Sequence, residues 1–224
     1  MNIGVNTAEN TPSAAVLVFG DRPAPGPLTG LPTHRLEDSA AIDLDSYRRL
    51  IVVGNDADLA AVLTRLLRAE RLDVEVAYVP RRRTAATRAY RLPAGHRAAR
   101  RARRGSARRV PLIRDENGSV IVGRARWLPP EGTQNGPSVH GEAVVDDAVL
   151  FDGYAAEVWI EPTLRLPGLR ATLNGAAPWR RWTSGRAAQL GTTGVTVVRD
   201  GIPAARTARR STFYRNVEGW LMVR

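Results

Sequence analysis

Two short stretches place carboxylates where chemistry is feasible. In the first, Gly54-Asn55-Asp56-Ala57-Asp58, two acids follow directly on the apolar run Leu50 to Val53. A carboxylate just past a strand can hold phosphate-linked magnesium, and it can equally be a plain turn former or helix cap. The second is Asp200-Gly201, an acid in a pair suited to a hairpin turn, a role it fills without any chemistry.

A third feature is cationic. Between Arg81 and Arg109 stand 12 arginines and no Asp or Glu, while the other 21 arginines nearly balance the 22 acids, so the formal charge of +11 resides in this one segment. Arg81, Arg82, Arg83, Arg88, Arg100, Arg101, Arg103 and Arg104 are its candidates for holding an acidic ligand. The segment can equally be a solvated face; the partners that fit it are an anionic lipid or membrane surface and, alternatively, nucleic acid such as RNA. Only Tyr90 interrupts the arginines, which offers little stacking for a single strand. Trp179, Arg180, Arg181 and Trp182 form a smaller cluster that suits a membrane interface or local packing with cation-π support.

Composition removes other chemistries. The chain has no cysteine and no lysine, which excludes disulfides, thiol nucleophiles, thiolate metal sites, Schiff bases and a P-loop lysine. With three scattered histidines, no metal site is expected. No serine lies in a G-x-S-x-G setting. The polar N-terminus lacks the features of a secretory leader and no apolar run reaches membrane-span length, so the expected location is the cytoplasm, with room for peripheral contact with a membrane.

The elements that must position these residues follow from periodicity. Leu50 to Val53 reads as a strand buried on both faces. From Leu59 the apolar positions recur at Val62, Leu63, Leu66 and Leu67, one face of a helix, with Asp58 expected as N-cap. Val74 to Val79 reads as the next strand, so Gly54 to Asp58 falls at the carboxyl end of a parallel crossover, where open α/β sheets bind ligands. Ala14 to Phe19 reads as an earlier strand, the Pro-rich 21–35 segment as loop, and His96 to Arg104 as a helix capped by Gly105. Beyond Val110, short β runs are punctuated by Asn117-Gly118, Asp146-Asp147, Asp152-Gly153 and Asp200-Gly201, each read as a turn. The expected architecture is α/β plus all-β: a parallel-sheet, nucleotide-binding-type domain over 13–110 and an antiparallel β-sandwich over 111–224.

IVVGNDADLAAVL resembles the V-V-G-G-D-G-T-L-N-E-V segment of the diacylglycerol kinase and sphingosine kinase-like lipid kinases. VAYVPRRRTAATRAYRLP is similar to their I-P-x-G-T-G-N-D-F-A-R loop, ARRVPLIRDENGSVIVG to their R-x-V-D-L-G-x-x-N-G strands, and the closing VTVVRDGIPAAR segment to their V-x-x-D-G-E strands. The resemblance spans about residues 48 to 224. It implies a cleft between the two domains, with ATP and magnesium as cofactors if the chain is active. Gly54, Asn55, Asp56, Asp58 and Thr84 would then lie at the nucleotide, and Asp200 would be the surviving base candidate. The departures imply a degenerate relative. Asn55, Ala57 and Asp58 replace Gly, Gly and Thr, the second loop has lost both glycines and its Asn-Asp pair, and Ile202 replaces the glutamate.

Overall fold

The computed structural model describes residues 14–21, 23–36, 46–130, 138–174 and 181–224. The first sheet is built around β1 (Ala14–Phe19), β2 (Thr33–Leu36), β3 (Arg49–Val53) and β4 (Glu75–Tyr78). Helix α1 (Asp56–Arg68) joins β3 to β4, and α2 (Ala85–Ala89) and α3 (Gly95–Arg104) follow before β5 (Ala107–Val110). Because β1 and β3 are apolar on both faces, they occupy the middle of the sheet. Their neighbours are parallel, in the order β2-β1-β3-β4, as the crossover pattern requires.

One face of this sheet is covered by Leu59, Val62, Leu63 and Leu66 of α1. The other is covered by Ala98, Ala99 and Ala102 of α3, together with Leu28 in a 3-10 turn at Gly26–Leu28. Alanine at these α3 positions leaves the arginines between them on the outer side. Arg49 caps the end of α3, donating to the Ala102 carbonyl at 3.0 Å and the Gly105 carbonyl at 2.9 Å while pairing with Glu75 at 2.6 Å.

The remaining chain is antiparallel: β6 (Ile113–Asp115), β7 (Val120–Ile121), β8 (Ala125–Leu128), β9 (Val139–Val145), β10 (Ala148–Ala155), β11 (Val158–Pro162), β12 (Leu169–Leu173), β13 (Thr183–Gly185), β14 (Ala187–Arg199), β15 (Ile202–Pro203) and β16 (Ala208–Arg215). The long β14 serves two layers. Its first half pairs with β9 and β16, and its second half with β8, the register shifting between Gly191 and Val195. Trp127 and Ile160 from one layer share a core with Val145 and Phe213 from the other.

The last strand, β17 (Trp220–Val223), departs from the sequence reading. It leaves the antiparallel region and inserts between β4 and β5, parallel to the first and antiparallel to the second. Its apolar run suits a central strand of either sheet, and the choice of partner is a tertiary one.

Three local readings also change. The 21–35 segment is not all loop, since it holds the 3-10 turn and β2, whose burial pattern has only Leu36 inside and therefore no apolar period. Asp152-Gly153 is no turn, because both residues pair within β10, opposite Glu142 and Gly141. The Asn117-Gly118 hairpin closes through a three-residue loop, with Gly118 at φ 78° and the Asp115 amide donating to the Ser119 carbonyl at 2.9 Å. Gly105 is the C-cap of α3, as expected, in an extended conformation; a side chain there would press on the Arg101 and Arg224 carbonyls.

Candidate functional site

The chain passes from β1 to β2 on one side and returns to β3 on the other side of β1, so the direction of strand addition reverses there. A crevice at the carboxyl ends of the strands results. It contains a cavity of about 690 Å³ between Gly20-Asp21 and Gly54-Asn55, with Arg35 and Asp58 in its wall. Gly54 also borders a cavity of about 420 Å³ with Pro80, Arg81 and His96. It borders another of about 290 Å³ with Arg82 and Thr84. The structure thus brings Gly54, Asn55, Asp58, Thr84, Arg81 and Arg82 to one edge.

The turn itself is closed on its own side chains. Asn55, not Asp58, is the N-cap of α1: its side chain accepts from the Asp58 amide at 3.0 Å. Asp58 reaches back to accept from the Asn55 amide at 2.7 Å, completing a capping box. The cap is displaced because Asp56 and Ala57 are already helical. Gly54 makes room for this closure, since a Cβ there would collide with the Asp58 carboxylate. An anion arriving at the start of α1 meets two committed amides and a carboxylate.

Asp56 is turned to the interior of the fold. One oxygen accepts from the Tyr78 hydroxyl at 2.8 Å and the other from the Ala86 amide at 3.1 Å, linking β4 to the start of α2. Burial, and then the Asp56 charge, push the Tyr78 phenol well above its usual range. Thr84 is the N-cap of α2 in a second capping box, its hydroxyl accepting from the Thr87 amide at 3.2 Å.

Asp200 comes from the distant β14–β15 turn, at φ 47°, yet it meets Asp56 across Gly123. A Cβ on Gly123 would lie 2.6 Å from Asp56 Oδ2 and 2.9 Å from Asp200 Oδ1. The Asp200 carboxylate accepts from the amides of Val122 at 2.9 Å, Gly123 at 2.7 Å and Arg124 at 2.9 Å. Burial pushes it up to about 7, the three amides pull against that rise, and the Asp56 charge adds to it. Such a value suits a general base at neutral pH, but the oxygens are already occupied by backbone donors. Tyr78 and Gly123 belong to this site and were not among the sequence candidates. An isolated tyrosine in an apolar strand and a glycine after Val120-Ile121-Val122 were the available signals.

The arginines separate into groups. Arg103 is exposed but engaged, its Nη1 donating to the Pro27 carbonyl at 2.9 Å and the Thr29 carbonyl at 3.1 Å. Arg81, Arg82, Arg83, Arg88, Arg100, Arg101 and Arg104 are exposed. Tyr90 is 1% exposed, packed edge-on against Trp220 at 5.4 Å between centroids. Trp182 lies under the Arg170 guanidinium at 4.1 Å, a local packing role; Trp179 and Arg180 lie outside the described residues. Among the described residues no group of three or more His, Cys, Asp or Glu is placed to hold a metal ion, and no helix is long and apolar enough to cross a membrane.

No family model matches the chain, and neither does any curated protein. Among solved structures it is similar to a diacylglycerol kinase from Bacillus anthracis str. Sterne, at 12% identity and TM-score 0.66, over 94% of this chain and 96% of that one. It is also similar to an NAD kinase from Archaeoglobus fulgidus in complex with ATP, at 12% identity and TM-score 0.63, over 94% and 93%. Yeast NADH kinase complexed with NADH matches at 8% identity and TM-score 0.52, over 96% and 84%. At these identities the likeness is one of fold, and it extends across nearly the whole chain.

Proposed function

On the fold it shares with diacylglycerol and NAD kinases, we propose that this chain is a catalytically degenerate relative of the lipid kinases. In this reading it binds an acidic ligand, such as an anionic lipid head group, and transfers no phosphate. The observation that carries the reading is the closure of Gly54 to Asp58. A phosphate-binding turn offers free amides, whereas here the Asn55 amide donates to Asp58 and the Asp58 amide to Asn55. These residues do not fit a magnesium-bound phosphate. The oxygens of Asp56 and Asp200 are likewise used to hold the fold together.

Acidic ligands are left to the arginine face, with the protein in the cytoplasm and peripheral to a membrane. The nucleic-acid alternative has the same charge behind it, but the segment's one aromatic, Tyr90, is inside the fold and offers no base a surface to stack on.

Purified protein incubated with ATP, magnesium and a panel of diacylglycerols and long-chain bases should show no lipid-dependent turnover above background. Phosphoryl transfer that disappears in Asp200→Asn overturns the reading. Co-sedimentation with phosphatidylglycerol vesicles, beside RNA gel shifts at matched physiological salt, separates the two partners. Tight RNA binding without vesicle binding favours the alternative.

A further inference from the structure

A cavity of about 460 Å³ lies between α2 and α3, apart from the strand-end crevice and sharing no lining residue with its cavities. Four arginines converge on it: Arg83 from the loop before α2, Arg88 from α2, Arg91 just after it, and Arg101 from α3. No Asp or Glu lines it, and no hydrogen bond or ion pair reaches these four guanidiniums among the described residues. Other arginines of the same segment are used within the fold, Arg103 on two carbonyls and Arg109 on Glu218 at 2.6 Å. These four are not, and a guanidinium cannot relieve like-charge repulsion by losing its proton.

Their placement is fixed by the backbone. Helix α2 closes with the Leu92 amide on the Thr87 carbonyl at 2.9 Å and the Arg91 amide near the Arg88 carbonyl, a Schellman arrangement that holds Arg91 at φ 54°. The Gly95 amide donates to the Pro80 carbonyl at 2.7 Å, pinning the start of α3 against the end of β4.

We propose that this cavity is a binding site for a compact ligand carrying at least two phosphate groups, free or as a lipid head group. The cavity has the size of a small-ligand site, and four planar forks carried on α2, α3 and the loops flanking α2 suit several phosphate oxygens better than a single monoanion. The inference rests on the reading that the arginine face receives acidic ligands, and it locates the ligand on that face.

The probe is inorganic pyrophosphate, measured by calorimetry against orthophosphate at physiological salt. Pyrophosphate should bind with one site per chain and more tightly than orthophosphate. The pair Arg88→Gln and Arg101→Gln should weaken it by about tenfold per arginine removed. The pair Arg97→Gln and Arg108→Gln, exposed in the same segment but outside the cavity, removes the same charge and should leave affinity within about twofold. Arg91→Gly should weaken binding while raising the melting temperature, because glycine adopts this backbone without strain.

Equal losses in the two pairs overturn the cavity while leaving the acidic-ligand reading in place. Loss confined to Arg81→Gln with Arg82→Gln moves the ligand to the strand-end crevice and also overturns it. No pyrophosphate binding overturns the site outright. Sedimentation with phosphatidylcholine vesicles, with and without a bisphosphorylated phosphoinositide, tells the two sources apart. Binding sensitive to Arg88→Gln supports the site as a head-group pocket, and vesicle-independent pyrophosphate binding supports it as a site for a free ligand. Lipid phosphorylation by a protein that still binds pyrophosphate in the cavity would reject the proposed function and keep the site.

Discussion

The seam around Gly123 and the cavity between α2 and α3 treat charge in opposite ways. At the seam two half-buried carboxylates far apart in the chain come together, and backbone amides or a tyrosine hydroxyl occupy their oxygens. At the cavity four exposed arginines line one space without an acid among them. Charges that brace a fold are satisfied from within it, whereas exposed charges with no partner in the fold are left to water and stay open to a ligand from outside. The same contrast separates Asp58, which closes the turn at Gly54, from Arg81 and Arg82 beside it.

The contrast breaks most visibly if Asp200 is removed. Asp200→Ala leaves three enclosed amides without an acceptor, and chemical denaturation should show a loss of about 4 kcal/mol. Asp200→Asn keeps one carbonyl oxygen for them and should cost less than half as much. A loss below about 1 kcal/mol for the alanine variant would show that the seam is not a brace.

A second measurement sharpens the account of burial. Asp200 holds its proton more tightly when folded, at about 7, than at its ordinary value of 3.8. The folded state therefore carries more protons between those values. The stability from this group is fully present below about pH 4 and is lost as pH rises through about 7, at up to about 1.4 kcal/mol per pH unit. Subtracting the melting profile of Asp200→Asn from that of the parent isolates the slope. A difference that is flat, or that rises with pH, would contradict it.

A smaller effect is expected at the turn. Asp58→Thr frees the Asn55 amide and removes a negative charge, so calorimetry should show ATP affinity rising severalfold from a weak or absent value, about 1 kcal/mol. The accompanying loss of the capping box should lower stability by a similar amount. Micromolar ATP binding by the parent protein would show that the closed turn is no obstacle. The smallest effect belongs to Arg104→Gln, exposed on α3 and outside the cavity, where the melting temperature should not move measurably.

Much of the fold is legible because it rests on local signals. The apolar run at Leu50, the three-and-four spacing after Leu59 and the Asp200-Gly201 turn each fix their element within a few residues. β2 escapes because Thr33, His34 and Arg35 are exposed and Leu36 alone is inside. Asp152-Gly153 misleads because a glycine opposite another glycine can sit at φ 108° within a strand. The site is less legible than the fold. Asp56 and Asp200 stand out by type, but the amides that hold Asp200 come from residues 76 to 78 positions away. The cap moved from Asp58 to Asn55 because both residues suit the role, and only the backbone decides between them.

The insertion of β17 between β4 and β5 bears on the order in which the molecule can be assembled. Strands β1 to β4 emerge early in synthesis, yet the outer edge of β4 has no partner until Leu221 and Met222 arrive. Throughout that interval a buried-type strand with Val76, Ala77 and Tyr78 keeps open backbone donors and acceptors, the condition under which nascent chains pair with one another. The antiparallel region is therefore synthesised in full before its predecessor can be completed. Completion of the first sheet becomes the late, long-range event of folding, and chains interrupted before Trp220 should enter aggregates through β4.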